Sequence, residues 1–373
     1  MVRCEYRAMT DRSVMLDQKL GGTIHRRSFA KDDGRMLHLY GRSPHTHAPL
    51  PQQTDELAKG AQWRFHPLRG EWNVYAAHRQ NRTFKPAAHA DPLAPSRPGA
   101  PATEIPFTDF EIAVFDNKFA AFHPDAPMPP PMPGLGIEPA RGACEVIVYT
   151  PEPEGSLHTI GQDRRQLLIA TWIDRIQALF NAGCDSVMPF ENRGPEVGAT
   201  LHHPHGQIYG FDRIPAVQSK AVAAFANGYD LAAEIVRSFG DGGSADYGVT
   251  RMNGMAAFCP RFARFPYEIW IAPEARRAQL WDCSADELNG FARLLGEATR
   301  RYDAFFGRAT PYMFALHCAP REGARGYHWT AQFYPILRDR ERVKYLASVE
   351  QHSGVFTVDV LPEDAAKTLR DVG

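Results

Sequence analysis

The spacing of hydrophobic and polar residues changes several times along the chain, and each change marks a predicted element. In "TIHRRSFAKDDGRMLHLYG" (residues 23–41) strand-like runs flank an Asp-Gly turn, the pattern of a hairpin. A second hairpin is predicted in "WRFHPLRGEWNVYAAHR" (63–79), where Leu-Arg-Gly separates two aromatic-rich runs. "FEIAVFDNKFAAF" (110–122) carries an apolar run that ends in an Asp-Asn turn signal. The tracts 42–56, 86–102 and 124–139 read as loops. The proline-rich last one can be neither a helix nor a central strand, and an ordinary surface excursion is favoured over a lid. Residues 1–22 carry no clear pattern and read as an N-terminal extension.

Beyond residue 140 the order becomes regular. "GACEVIVYTP" (142–151) reads as a strand, and "GQDRRQLLIATWIDRIQALFNAG" (161–183) has helical apolar spacing and a terminal Gly. "DSVMPFENRG" (185–194) is a strand with a loop, and "LHHPHGQIYGF" (201–211) is strand-like again. The same succession returns in residues 266–337: a strand, a linker, a long helix over "SADELNGFARLLGEATRRYDAFFG", then the strands "PYMFALHCAP" and "YHWTAQFYPIL". The predicted fold class is therefore α+β. Two duplicated units, 23–212 and 213–373, each carry a mostly antiparallel sheet and a long covering helix. A chain of 373 residues also exceeds the length at which single cores usually split. "LHHPHGQIYG" and "YHWTAQFYP" then occupy equivalent places. The first alone kept its histidine cluster, so one half is expected to be catalytic.

Composition narrows the partners. Forty-two Lys and Arg against 43 Asp and Glu leave a net charge of −1, too small a field to capture nucleic acid or a membrane surface, so a small molecule is the expected partner. No stretch reaches the roughly 18–20 apolar residues of a membrane span, and the N-terminus lacks the compact apolar region of an export signal. The six cysteines (Cys4, Cys144, Cys184, Cys259, Cys283, Cys318) are scattered without a Cys-x-x-Cys pair, which predicts reduced thiols in a cytoplasmic protein.

The candidate chemistry sits in residues 201–210, which hold three of the fifteen histidines. In an extended strand His203, His205 and Gln207 point one way while His202, Pro204 and Gly206 point the other. Pro204 gives up an amide donor, suiting an edge or rim position, and Gly206 lets a ligand come close to the backbone. A neutral imidazole can attack phosphorus, and it leaves readily from the adduct because its pKa lies near operating pH. A nearby carboxamide can donate to the phosphoryl oxygen where charge builds up. A lone strand histidine is usually a satisfied polar residue. Three in one segment with Pro, Gly and Gln shift the weight to function, but spacing leaves metal binding and nucleophilic catalysis equal.

His203-Pro204-His205-Gly206-Gln207 resembles the signature of the galactose-1-phosphate uridylyltransferases, the transferase branch of the histidine-triad superfamily. Other segments agree in order from about residue 23 to the end: "HPLRGEWNVYAAHRQNR", "FDNKF", "PFENRGPEVGATLHHPHGQIY" and "VKYLASVEQHSGVFTVDVLPEDAA". The resemblance implies that His205 is a nucleophile that takes UMP from UDP-glucose as a uridylyl-histidine and passes it to galactose 1-phosphate, with ping-pong kinetics. It implies that the main-chain carbonyl of His203 orients His205 and that Gln207 binds phosphoryl oxygens. Arg79 and Arg82 would lie on the phosphate side, where a planar guanidinium suits a diphosphate. Pro92, Leu93, Phe115 and Asn117 would form the uracil pocket. Asn192, Gly198 and Thr200 would line the diphosphate region. Lys344, Tyr345, Val349 and Glu350 would contact the hexose across a homodimer interface, Glu350 by accepting hydrogen bonds from sugar hydroxyls.

The departures from the family concern metals. Asp91 and Ala94 stand where it often has a Cys-x-x-Cys pair, and a further histidine place falls near Pro131, so zinc at His203 looks lost. At the second family metal site His317 survives, but Thr330 and Gln332 occupy the places of two later histidines. Neither metal is expected, nor any other cofactor; whether Asp91, His202 or His123 build an unconventional metal site stays open at this point. Proline in residues 86–102 would then stiffen a loop that a metal would otherwise brace. Two other functions stay open: a phosphorylase or hydrolase of nucleotide sugars, and a non-catalytic nucleotide-sugar binding protein. A Gln at 207 and a Glu at 350 favour transfer to a hexose phosphate.

Overall fold

A computed structural model describes residues 12–16, 19–52, 54, 57–81, 91–240 and 246–372. The Asp-Gly turn joins β2 (Ile24–Ala30) to β3 (Met36–Gly41), and Leu-Arg-Gly joins β4 (Gln62–His66) to β5 (Glu71–Tyr75), so both predicted hairpins form. One expectation changes at the start of the chain. Residues 12–16, read as part of an extension, form β1 (Arg12–Leu16), because the chain turns at Gly21 and Gly22 and pairs antiparallel with β2 from Arg12↔Ser28 to Leu16↔Ile24. The apolar run of residues 110–122 supplies β6 (Ile112–Asp116). The proline tract ends in β7 (Ile137–Pro139), which pairs with β4 at the edge of a three-stranded sheet ordered β5-β4-β7. Pro139 is tolerated there because an edge strand does not need every amide.

The two regular segments give matching sets. The first is β8 (Gly142–Val148), α1 (Gln162–Asn181), β9 (Ser186–Arg193) and β10 (His205–Phe211). After α2 (Ala216–Ala226) and α3 (Leu231–Ser238), β11 (Gly248–Met252) and β12 (Met255–Phe258) precede the second set. That set is β13 (Ile269–Pro273), α4 (Ala285–Phe306), β14 (Tyr312–His317) and β15 (Thr330–Pro335), followed by α5 (Ser348–Ser353) and α6 (Pro362–Asp371). All these strands apart from β4, β5 and β7 join one antiparallel sheet of twelve, ordered β1-β2-β3-β6-β8-β10-β9-β14-β15-β13-β12-β11. The central order β8-β10-β9-β14-β15-β13 reads the same outward from its middle. Register sharpens the likeness. Gln207 faces Phe190, Gln332 faces Ala315, and Phe190 faces Ala315 across the junction of β9 and β14. A pseudo-twofold therefore passes through that pair, and Thr330, Ala331 and Gln332 take the places of His205, Gly206 and Gln207.

One continuous core serves both halves. Helix α1 buries Leu167, Leu168, Trp172, Ile176 and Leu179, and α4 buries Leu288, Phe291, Leu295, Tyr302 and Phe306 in the same cluster as Ile208 and Phe314. Trp172 of the first half stacks on Phe314 of the second, with ring centroids 5.8 Å apart. Each such side chain contributes roughly 1.5–3 kcal/mol on burial, so hydrophobic packing dominates the join. The α4 start is set by a reciprocal cap, Glu287 N to Ser284 Oγ (3.1 Å) and Ser284 N to Glu287 Oε2 (2.6 Å), and its end by Gly307 in the left-handed conformation.

Candidate active site

Strand β10 begins at His205, and its side chains alternate from there. His205, Gln207 and Tyr209 are half-buried on one side, while Gly206, Ile208 and Gly210 are buried on the other. The two-residue period therefore places His205 and Gln207 on one face as expected. It fails at His203 because the chain bends there and residues 203–204 lie outside the strand. The His203 ring turns into the interior, where Nδ1 lies 2.6 Å from Asp91 Oδ2 and Nε2 lies 2.7 Å from the Thr150 carbonyl. Its main-chain carbonyl faces the other way in function: it lies 2.7 Å from His205 Nδ1. A carbonyl oxygen only accepts, so Nδ1 carries the proton and the lone pair of the neutral ring belongs to Nε2.

Of two backbone expectations, the one for Pro204 narrows to the rim and the one for Gly206 needs correction. Strand β10 is central, paired with β8 over its whole length and with β9 from Gln207 onward. Pro204 is thus not on an edge strand. It stands just before β10, where its missing N–H costs no ladder bond, and its carbonyl accepts from Tyr149 N at 3.0 Å. Gly206 does not make room for a ligand. A Cβ there would lie 2.3 Å from Tyr149 Oη and 2.7 Å from the Phe190 carbonyl, so the glycine exists to admit the tyrosine.

Past Phe190, β9 leaves β10 and pairs with β14 through Glu191, Asn192 and Arg193. The divergence opens a cleft of about 270 Å³ beside His205, walled by Asn192, Thr200, His202 and the loop through Gly194 and Glu196. Gly198, in the left-handed conformation (φ 80°), ends the short 3-10 helix Pro195–Val197 in that loop. Arginines of this wall are tied to the second half or come from it. Arg193 makes a bidentate pair with Asp303 (2.7 and 2.9 Å), and Arg308 pairs with Glu196 (2.5 Å). The buried Glu191 accepts from Tyr312 Oη at 2.9 Å, and burial pushes its carboxyl from 4.5 up to about 7.

Asn117 and Arg79 reach the same side of β10. Asn117 Nδ2 donates to Gln207 Oε1 (3.5 Å), which leaves the N–H₂ end of Gln207 as the donor. Arg79 donates to the Phe119 carbonyl (2.8 Å) and to Tyr209 Oη (3.4 Å). Arg82 lies outside the described residues. Phe115 and Leu93 are buried in one cluster with Leu37, Ile105 and Phe107, and Pro92 beside them is half-buried. Lys344, Tyr345, Val349 and Glu350 do not line the cleft of their own chain. Lys344 and Glu350 form a buried pair (3.0 Å), and Thr357 Oγ1 and Ala347 N also donate to that carboxylate. Hydrogen bonds from its own amide, Lys344 and Thr357 lower Glu350 to about 2. Tyr345 and Val349 are exposed.

Neither family metal fits the donors present. Both His203 nitrogens face protein oxygens, Ala94 has no ligating atom, and Pro131 has none in its side chain. At the second site Thr330 Oγ1 accepts from Gln332 Nε2 (2.9 Å), and both are neutral groups beside the half-buried His317, whose imidazole desolvation lowers to about 4. Among the described residues no group of three or more His, Cys, Asp or Glu side chains is placed to hold a metal ion. The sequence put Asp91 at the place of a lost metal ligand or, beside His202 or His123, in an unconventional metal site, and it did not single out Glu191, Tyr149 or Arg308. No local pattern marks these three; the sheet brings them to the cleft.

A doubled antiparallel sheet with one imidazole at the start of a central strand defines the class: this is the fold of the uridylyltransferases. A solved "Structure of uridylyltransferase" matches with a TM-score of 0.72 and 25% identity, covering 83% of this chain and 98% of that one. The chain belongs to the galactose-1-phosphate uridylyltransferase family. It is 32% identical over 322 residues to the galactose-1-phosphate uridylyltransferase of Thermotoga maritima, covering 83% of this chain and 97% of the relative. It is 29% identical to that of Streptomyces lividans, covering 82% and 85%. Residues 52–215 match the galactose-1-phosphate uridyl transferase N-terminal domain. An ADP-glucose phosphorylase from Arabidopsis thaliana shares the fold, with a TM-score of 0.61 and 18% identity. Among the described residues no helix is long and apolar enough to cross a membrane.

Proposed function

We propose that this enzyme transfers UMP from UDP-glucose to galactose 1-phosphate by two displacements at His205. The Nε2 lone pair attacks the α-phosphorus, the bond from that phosphorus to the bridging oxygen breaks, and glucose 1-phosphate leaves with the electron pair. A phosphate oxygen of galactose 1-phosphate then attacks the uridylyl-histidine. UDP-galactose departs, and the lone pair returns to Nε2. The observation that carries this reading is the 2.7 Å contact between His205 Nδ1 and the His203 carbonyl, which supports a proton on Nδ1 and Nε2 as the attacking nitrogen. The N–H₂ of Gln207 donates to the phosphoryl oxygens as charge builds.

Around this centre Arg79 and Arg82 serve the phosphates, and Asn192, Gly198 and Thr200 the diphosphate. Pro92, Leu93, Phe115 and Asn117 hold the uracil. Lys344, Tyr345, Val349 and Glu350 serve the hexose from the second subunit of a homodimer. That they do not line the cleft of their own chain, and that Tyr345 and Val349 are exposed, supports that arrangement. The enzyme works in the cytoplasm and needs no metal.

The test is trapping. Protein incubated with UDP-glucose labelled in the uracil retains label after denaturation, and galactose 1-phosphate discharges it as UDP-galactose. His205→Gly retains none while still binding UDP-glucose. Label that inorganic phosphate or water discharges, but galactose 1-phosphate does not, would assign a phosphorylase or hydrolase instead; full turnover by His205→Gly would move the chemistry elsewhere.

A further inference from the structure

We infer that Asp91 is a positioning residue for the nucleophile, acting through the His203 ring on the carbonyl that orients His205. This rests on the uridylyl-histidine reading above. The side chain of His203 has no exposed surface, and its ring is clamped at both ends, by Asp91 Oδ2 at 2.6 Å and by the Thr150 carbonyl at 2.7 Å. The short contact to the Asp91 carboxylate is the stronger kind of hydrogen bond, charge-assisted on the acceptor side, and it fixes that end of the ring. Asp91 is itself held, because Oδ1 accepts from Leu93 N at 3.0 Å. Burial pushes its carboxyl up, but the hydrogen bonds from His203 and Leu93 outweigh that and bring it below the ordinary value.

The clamp reaches the reacting atom through the His203 peptide. His203 and Pro204 lie outside the strand ladder, so β10 hydrogen bonding does not fix the His203 peptide. Among the described residues three contacts do: the two ends of the ring, and the Pro204 carbonyl bonded to Tyr149 N. Two of the three lead to residues 149–150, directly after β8, and the third leads to Asp91 on a separate loop. Releasing Asp91 frees the ring to turn about its remaining contact, and the His203 carbonyl moves with its residue. The His205 Nδ1–H then loses a fixed acceptor, and the ring loses both its orientation and its tautomer preference. A misplacement near 1 Å costs on the order of 100-fold in rate.

The experiment compares wild type with Asp91→Asn and Asp91→Ala. Three quantities are measured: the rate of covalent labelling from UDP-glucose, the KM for UDP-glucose, and the imidazole N–H resonances of protein labelled with ¹⁵N-histidine. The inference expects the labelling rate to fall on the order of 10- to 100-fold in both variants, with KM held within about threefold in Asp91→Asn, whose side-chain oxygen still accepts from Leu93 N. It also expects a far-downfield N–H resonance from the short His203–Asp91 bond in wild type that Asp91→Asn loses; this readout does not depend on turnover. Labelling within threefold of wild type in both variants would overturn the inference. So would an unchanged downfield resonance in Asp91→Asn. Wild-type protein that takes no label would refute the uridylyl-histidine reading, whereas labelled wild type with equally competent Asp91 variants refutes the role of Asp91 alone.

Discussion

Replacing Gly206 with Ala adds one methyl group where the fold has no place for it. The new Cβ would meet Tyr149 Oη at 2.3 Å, the Phe190 carbonyl at 2.7 Å and Tyr149 Cζ at 3.2 Å. Ordinary contact begins near 3.4 Å, so the nearest atom must retreat by roughly 1 Å. Neither side can yield easily. Tyr149 is 1% exposed, and the backbone of residue 206 sits opposite Ile147 in a central strand whose next residue is also paired with β9. Overpacking of this kind costs about 1–3 kcal/mol. With an unfolding entropy near 2 cal/mol/K per residue, 3 kcal/mol lowers the melting temperature of a chain this long by about 4 °C. Residue 205 is covalently next, so adduct formation should fall on the order of 100-fold. Adding Tyr149→Phe removes the closest atom, and a double-mutant cycle of melting curves should show a favourable coupling of about 1 kcal/mol or more. Melting within 1 °C of wild type, together with an unchanged labelling rate, would refute the packing argument; so would a coupling of zero.

Two further variants probe other parts of the molecule, alongside the tests of His205 and Asp91. Because burial raises Glu191 to about 7, the folded protein keeps a proton that the unfolded chain has released above about pH 4.5, so wild type loses stability as pH rises from 4.5 to 7 and then levels off. Glu191→Gln removes that slope: its advantage over wild type in thermal melts should grow to about 3 kcal/mol by pH 7.5, and parallel stability–pH curves would contradict the assignment. Arg301→Met should loosen the C-terminal helix, since Arg301 Nη1 donates to the carbonyls of Leu369 and Arg370 at 2.5 and 3.2 Å. A loss of about 1–3 kcal/mol with faster amide exchange across 362–371 is expected, and unchanged exchange there would show that the cap contributes nothing.

Local pattern carried much of the fold. The Asp-Gly turn, the aromatic runs around Leu-Arg-Gly and the two long amphipathic helices each declare their structure within a dozen residues, and their repetition announced the two matched sets. The strand rule also put His205 and Gln207 on one face, because alternation needs only the strand itself. It misplaced the His203 side chain because a bend before β10 is set by Asp91 and Thr150, residues 112 and 53 positions away. Gly206 misled for the same reason: glycine in a strand signals a close approach without saying whether a ligand or a tyrosine makes it. Glu191 and Arg308 were illegible for a further reason. Their neighbours belong to the other half, and no window along the chain contains both. The pairing of Lys344 with Glu350 is short in sequence, yet its burial depends on how the C-terminal segment lies on the sheet.

The seam between β9 and β14 also governs what the molecule could become. Strand β9 keeps β10 on one flank and needs β14 on the other, and the wall beside His205 is anchored through Arg193 and Arg308 to partners across that seam. An isolated first half would present a bare row of backbone donors and acceptors over residues 190–193, an adhesive edge next to His205. The second half, with Thr330 and Gln332 where the first has His205 and Gln207, thus also serves as the flank that keeps residues 190–193 from lying open to other chains.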